Sequence, residues 1–435
     1  MKSVFLFAAV LLLSTGIFPS VSAQEQEPLD IDSLFEEDDG GQELFDGEAE
    51  AKPAENVLSG LLKRRGLTFS ASGSLYGGVS LGWRDTPWNW NSPGTLAEDI
   101  DDSVGLGMSE SLSLDIQFSE ALRLKNKFSF YFPDYEFTVS EAFVDYNFLD
   151  KANLRVGKTA VTWGQSRNYT FTDLPSRMPE NPAYGTTADD SSIIAKLDVP
   201  VGLGGFQFLA LTRRSFFPGT ADAPSVSQIA YGLKFNAASR WIDVDIGSFF
   251  HNDMPLRSFV SLKSTIKNTE IYADFLHSVY WRPDPPLDFW ERNGGAIGVG
   301  VLQNFFSEKL TVNLEAFYNK DLENRFYREK TETNNGTDFS FIDGWNGAVN
   351  MIIRPAGSLR IFTQCLYSFE TMSAWLVPGC SVKPLDNVTV ALSVPMALGK
   401  NDGPYYGKNA AVNNNPFSVV IALTITGDYS TSIHE

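Results

Sequence analysis

From Leu67 onward, apolar and polar residues alternate in segments separated by clusters of Gly, Pro, Asn, Asp and Ser. Alternation with a period of two is the pattern of a strand with one apolar face. Eighteen such segments are expected, over 67–83, 104–118, 121–132, 136–148, 152–163, 191–200, 205–213, 226–236, 240–250, 256–266, 269–281, 294–306, 309–319, 342–354, 359–370, 375–383, 387–398 and 416–429. In 121–132, Leu122, Leu124, Phe128, Phe130 and Phe132 share one parity, while Arg123, Lys125, Lys127, Ser129 and Tyr131 share the other. In 240–250, Ile242, Val244, Ile246 and Phe250 oppose Asp243 and Asp245. The last segment alternates from Phe417 to Ile425, Gly427 and Tyr429 keep the parity, and a tail follows from Ser430 to Glu435.

The connections sort by length. Ser119-Glu120, Asp150-Lys151, Ala237 to Ser239, Lys267-Asn268, Ser307-Glu308, Ala356-Gly357 and Pro384 to Asp386 are short. Those at 84–103, 164–190, 282–293, 320–341 and 399–415 are long, although Pro133 to Tyr135 and Thr371 to Ala374 are short on that same side. Short turns at one end and long loops at the other describe a transmembrane antiparallel up-and-down β-barrel with both termini on the periplasmic side. This all-β fold puts one parity toward lipid and the other toward a polar lumen. Trp83, Phe132, Trp163 and Trp281 then fall at the outer ends of upward strands, as an aromatic belt.

Composition agrees. Aromatics make up 13% of the chain and charged residues only 20%, and no apolar run after residue 23 is long enough for a spanning helix. The first residues read as a signal peptide: Lys2, an apolar run from Val4 to Leu13, and small residues before a cleavage between Ala23 and Gln24. The protein is therefore expected in the outer membrane of a diderm bacterium. Residues 24–56 form an acidic leader carrying −12 of the formal charge of −19, so nucleic acid is excluded as a partner. The leader lacks strand or helix periodicity and is expected to be disordered. Its two Leu-Phe pairs, Leu34-Phe35 and Leu44-Phe45, read as chance similarity in a solvated tail, as docking motifs for a periplasmic partner, or as part of a segment entering the barrel. A short amphipathic helix is expected over 57–66, with the barrel occupying 67–435.

Pairing arithmetic assigns contacts to the inward parity. The turn at Lys267-Asn268 places Thr265 opposite Glu270 and Ser261 opposite Asp274. A hairpin centred on Asp134 places Lys127 opposite Glu141 and Arg123 opposite Asp145, and one centred on Ala238-Ser239 places Lys234 opposite Asp243. Together with Lys125, Asp245 and Lys263 these are the expected pore-lining residues. Such pairs either stabilise the wall, by about 0.2–1 kcal/mol each, or set a transverse field across a hydrated pore. The loop from Gly164 to Asp190, with Arg167, Asp173, Arg177 and Glu180 and three prolines, is the candidate for narrowing the lumen, its alternative being an outer cap. A loop over Thr371 to Ala374 puts Cys365 opposite Cys380, which allows a disulfide or two free thiols on the lipid side. No His/Cys cluster, phosphate loop or nucleophile elbow is present. No enzyme activity and no cofactor are expected.

The tract Leu154-Arg155-Val156-Gly157-Lys158, with Trp163-Gly164 after it, resembles a strand of the phosphate-selective and alginate-export porin-like groups. The resemblance implies an outer-membrane channel for small hydrophilic solutes and, as porins are often trimers, assembly as a homotrimer. Outer-membrane lipid and the barrel-insertion machinery are the further partners, although the tail after Tyr429 departs from the usual aromatic ending. A non-conducting surface barrel whose loops bind a host or partner molecule, and a hydrophobic-solute transporter, are the alternative readings.

Overall fold

The computed structural model describes residues 66–83, 86–87, 100–133, 135–148, 151–175, 192–212, 229–252, 255–280, 292–320, 343–400 and 416–434. The signal segment with Ala23 and Gln24, the acidic leader, and the helix expected over 57–66 lie outside them, except for Gly66, which opens the first strand. Arg177, Glu180 and Trp281 also lie outside the described residues.

The strands are β1 (Gly66–Trp83), β2 (Ile100–Gln117), β3 (Leu122–Phe132), β4 (Glu136–Asn147), β5 (Asn153–Thr159) and β6 (Ser192–Val201). They continue as β7 (Gly204–Thr212), β8 (Ala230–Ala238), β9 (Asp243–Phe250), β10 (Leu256–Ile266), β11 (Thr269–Val279), β12 (Asn293–Phe305) and β13 (Leu310–Lys320). The last are β14 (Gly344–Ala356), β15 (Leu359–Ser368), β16 (Ser373–Leu385), β17 (Val388–Ser393), β18 (Met396–Gly399) and β19 (Phe417–His434). β17 and β18 are two halves of one wall strand, both laid between β16 and β19. They are separated at Pro395, which has no N–H to give a ladder. Eighteen wall strands therefore circle the barrel, each antiparallel to its neighbours, and β19 closes on β1 from Trp83↔Phe417 to Gly66↔His434.

The period-two alternation becomes two faces. Leu112, Val144, Phe208, Ile246, Phe275, Leu314 and Val349 stand exposed on the outer face. Inward positions alternate with them, among them Leu209, Phe249, Asp274, Glu315 and Asn350, all buried. Trp83 packs on Phe417 at 4.8 Å and Phe132 on Tyr135 at 5.4 Å, at the end that carries the long connections. Each ladder row climbs toward that end as strand number rises. A row starting at Asp243, the first residue of β9, passes through Lys263, Tyr272, Gly300, Glu315, Ala348 and Leu366 and reaches Trp375, near the opposite end of β16. This stagger is the signature of tilted strands in a closed barrel.

Four expectations change. β5 ends at Thr159 rather than 163, so Trp163 is not a belt residue: it turns into the barrel and is 4% exposed. The tail after Tyr429 is not a tail, because Ser430 to His434 continue β19 and pair with Ser70 to Gly66. Lys234 lies opposite Gly247, not Asp243. The Ser239 hydroxyl accepts the amides of Trp241 and Ile242, holding a four-residue turn over 239–242 and shifting the register. Cys365 lies opposite Leu376 and Cys380 opposite Ile361, and both thiols are free. The tight link spans 369–372, with Met372 at φ 51°, and Ser368 pairs with Ser373. The two sulfurs are thus displaced by four residues along the strands, about 13 Å, beyond disulfide reach. Oxidised protein should run unchanged on non-reducing gels after Cys365→Ser; a mobility shift abolished by that substitution would contradict this register.

Candidate functional site in the lumen

The chain leaves the wall after β5 and folds inward. Gly164 makes the turn at φ +91°, and a Cβ there would stand 2.0 Å from the Thr172 hydroxyl, so only glycine fits. The Trp163 amide donates to Asp173 Oδ1 at 2.8 Å and its indole N–H donates to Gln207 Oε1 at 2.6 Å. Its ring packs on Phe249 and Phe259, which point inward from β9 and β10. Further along, Tyr169 stacks on Phe317 at 4.8 Å, Phe171 lies on the same ring at 4.9 Å, and Leu174 is fully buried. β12 makes room for this by carrying glycine on its inner face: a Cβ on Gly298 would reach within 2.8 Å of the Phe171 ring.

Two wall carboxylates fasten the segment. Asp274 of β11 accepts the amides of Gln165 and Ser166, the latter at 2.7 Å. Glu315 of β13 accepts the amides of Arg167, Asn168 and Tyr169 at 3.0–3.3 Å, and the Asn168 side chain as well. Successive backbone N–H groups pointing one way form an anion-receiving concavity, and here the wall supplies the anion. The Tyr272 hydroxyl lies 2.9 Å from Asn313 Oδ1 and 3.1 Å from Glu315 Oε2. Arg167 reaches Glu270 at 3.0 Å, Asn350 donates to Asn168 Oδ1 at 2.6 Å, and the Tyr169 hydroxyl donates to the Gly347 carbonyl at 3.1 Å. The inner wall from β10 to β14 is therefore covered. Asp274, expected to line the pore, is buried beneath the segment instead.

Charged residues line the remaining inner wall toward the short-turn end. Arg123 forks onto Asp115, the Lys125 ammonium lies 2.8 Å from Glu141, and Arg155 meets Asp145 at 2.7 Å. Lys196 pairs with Asp198 at 3.0 Å, Lys234 with Asp245 at 3.4 Å, and Lys263 with Glu270 at 3.0 Å. Arg123 does lie opposite Asp145, and Lys127 opposite Glu141, as the hairpin arithmetic requires. The ion pairs formed are nevertheless other ones, with a register shift in β4 beside Lys127 and the Arg155 guanidinium seated over the Phe143 ring at 4.2 Å. Lys127 makes no ion pair among the described residues, and Asp243 faces Lys263 across the ladder. Glu270 was placed on the inward parity by its turn, Arg155 was quoted only within the tract 154–158, and Glu315 was not singled out in the sequence. Glu315 alternates with Asn313 and Phe317 on β13, but it has no cation opposite it to draw notice.

Side-chain exposure differs around the wall. Arg123 keeps 49% of its side chain exposed and Lys125 31%, against 15% for Arg167 and 11% for Glu270. Among the described residues, the segment covers the inner wall from β10 to β14 and leaves the inner face of β2–β5 uncovered.

This barrel has the fold of outer-membrane porins. It is similar to the crystal structure of Pseudomonas aeruginosa OpdO, with a TM-score of 0.50 and 10% identity over 86% of this chain and 99% of that one. Pseudomonas aeruginosa OccK8 (OprE) gives 0.48 and 9% over 83% and 98%, and OprD from the same organism gives 0.48 and 8% over 86% and 95%. No family model matches the chain, and no curated protein sequence is similar to it.

Removing one charged acceptor should loosen only the amides it holds. Glu315→Gln should speed hydrogen exchange at 167–169 by on the order of tenfold to a hundredfold, as expected for losing charge-assisted bonds of about 1.5–3 kcal/mol. Asp274→Asn should act at 165 and 166. Uniform acceleration across the barrel in either variant would show that the carboxylates hold the wall rather than the segment.

Proposed function

We propose that this protein is an outer-membrane porin, exported by a signal peptide cleaved between Ala23 and Gln24, that passes small hydrophilic solutes by diffusion. The observation carrying this reading is the division of the lumen. Among the described residues, one inner wall is covered by the segment 163–175, while the other presents ion-paired side chains from β2 to β5. Charged groups in such numbers inside a barrel are stable in contact with water, and a barrel of this strand number has room for it. The segment narrows the passage, with Arg167 and Asp173 serving to place it.

The aromatic residues inside the barrel bear on the hydrophobic-solute alternative. Trp163, Phe171, Phe249, Phe259 and Phe317 are all buried within 4% exposure and are consumed in packing the segment against the wall. Among the described residues, these rings leave no apolar track for a solute to follow. The surface-binding alternative depends on the long connections, most of which lie outside the described residues.

Purified protein in planar bilayers should conduct in discrete steps. Lys127, which stands in the open part without a carboxylate partner among the described residues, should influence ion preference. Lys127→Glu should shift the reversal potential toward cation selectivity without changing the barrel's heat-modifiable gel mobility. A folded barrel that neither conducts nor admits solutes into liposomes would reject the porin reading.

A further inference from the structure

The wall across from the anchored segment carries hydroxyls at the segment's own height. The segment covers β10–β14, centred on β12, and nine wall strands around the circle of eighteen lies β3. Ladder rows climb with strand number. Holding one height across eight strands therefore requires a descent of about ten residues along strands tilted by about 35–45°. The row of Glu315 runs through Ala348, Leu366, Trp375 and Ala397. Continued by the registers of β19, β1 and β2 and lowered by that amount, it arrives between Ser129 and Tyr131 of β3. The same descent, scaled to fewer strands, reaches Tyr76 on β1 and Ser109 on β2.

These inward side chains share one chemistry. The Ser74 and Ser109 hydroxyls lie 2.6 Å apart, and that of Ser129 lies 2.7 Å from Ser140 and 3.3 Å from Ser111. Tyr131 stands opposite Ser109 in the ladder. The Tyr76 ring lies over Gly107, where a Cβ would stand 2.3 Å from it, so the ring is laid against the wall with its other face toward the lumen. Tyr272 lies over Gly300 in the same way, but there the segment covers it and its hydroxyl is engaged with Asn313 and Glu315. On the segment, Thr170 is exposed between the buried rings of Tyr169 and Phe171, so it points away from the wall and into the passage. Among the described side chains at this height, Arg257, Asp274, Glu315 and Asp173 are buried, and Arg167 is held by Glu270. The ion pairs of Arg123, Lys125 and Arg155 lie lower, toward the short-turn end.

Resting on the porin reading above, we propose that the narrowed passage selects neutral polyhydroxylated solutes, such as sugars and sugar alcohols, over charged solutes of the same size. A hydroxyl both donates and accepts, and it rotates to suit its partner. A wall of hydroxyls therefore matches a solute whose own groups do the same. An ion that sheds part of its hydration at this height meets no uncommitted counter-charge among the described residues, so it loses solvation without replacement. The lumen-facing side of the Tyr76 ring offers an apolar surface to the C–H face of a sugar ring, with hydroxyls beside it for the sugar's polar rim.

Glucose, gluconate and glucosamine share a carbon skeleton and differ in charge, so their entry into proteoliposomes tests the selection. With the full-length protein at physiological ionic strength, labelled glucose should enter about fivefold faster than either ion. Tyr76→Ala should lower that ratio about threefold, as for the loss of one ring contact, and Tyr76→Phe should keep most of it. Ser109→Asp, which sets a carboxylate at this height, should raise glucosamine entry above that of gluconate. A conducting barrel that admits gluconate or glucosamine as fast as glucose overturns the inference and leaves the porin reading intact. A folded, conducting Tyr76→Ala barrel with an unchanged ratio does the same. If the variants fail to fold, the three-solute comparison on the unaltered protein decides alone. A folded barrel that neither conducts nor admits any of the three rejects the porin reading, and this inference with it.

Discussion

The structure depends on backbone hydrogen bonding with no free edge. A closed sheet pairs every strand on both sides, and the ladder from Trp83↔Phe417 to Gly66↔His434 completes the circle. Closure forces the strands to tilt, and tilt makes each row of paired residues climb from one end of the wall to the other. Height along the barrel axis, separation in the ladder and position along the chain thereby become linked.

Closure also creates an interior that must be partly filled. The segment after β5 fills it from within the chain, carrying its own apolar rings to meet Phe249, Phe259 and Phe317, which the wall turns inward. Apolar contact alone would leave the segment's amides unpaired, since it belongs to no ladder there. Asp274 and Glu315 meet that need, and each carboxylate is itself kept from isolation by several N–H donors. Wall and segment are mutually dependent: removing the segment would strand two buried charges, and removing the charges would strand a run of amides.

Much of this was legible in the alternation. The number of wall strands, their sorted connections, and the pairings Thr265↔Glu270, Ser261↔Asp274, Lys127↔Glu141 and Arg123↔Asp145 follow from parity and tight turns. Register failed where a side chain or a left-handed residue set the turn. Ser239 lengthens one hairpin, and Met372 belongs to a link that displaces Cys365 from Cys380. Trp163 misled because 152–163 was read as one strand ending in an aromatic, whereas the strand ends at Thr159 and Trp163 shares the inward parity of Arg155 and Thr159. The role of Glu315 was not readable, since its partners are main-chain amides, which look alike in every sequence. Of the loop residues proposed for the constriction, Arg167 and Asp173 do sit in the inward segment, one on Glu270 and the other beneath Trp163.

The anchors of the segment are remote in the chain. Ser166 binds a carboxylate 108 residues later and Tyr169 one 146 residues later. Contacts of such long range form late, after the intervening chain has been organised. The segment's amides have these acceptors only once β11 and β13 stand in the wall, so the width of the passage beside β5 is set by strands far along the chain.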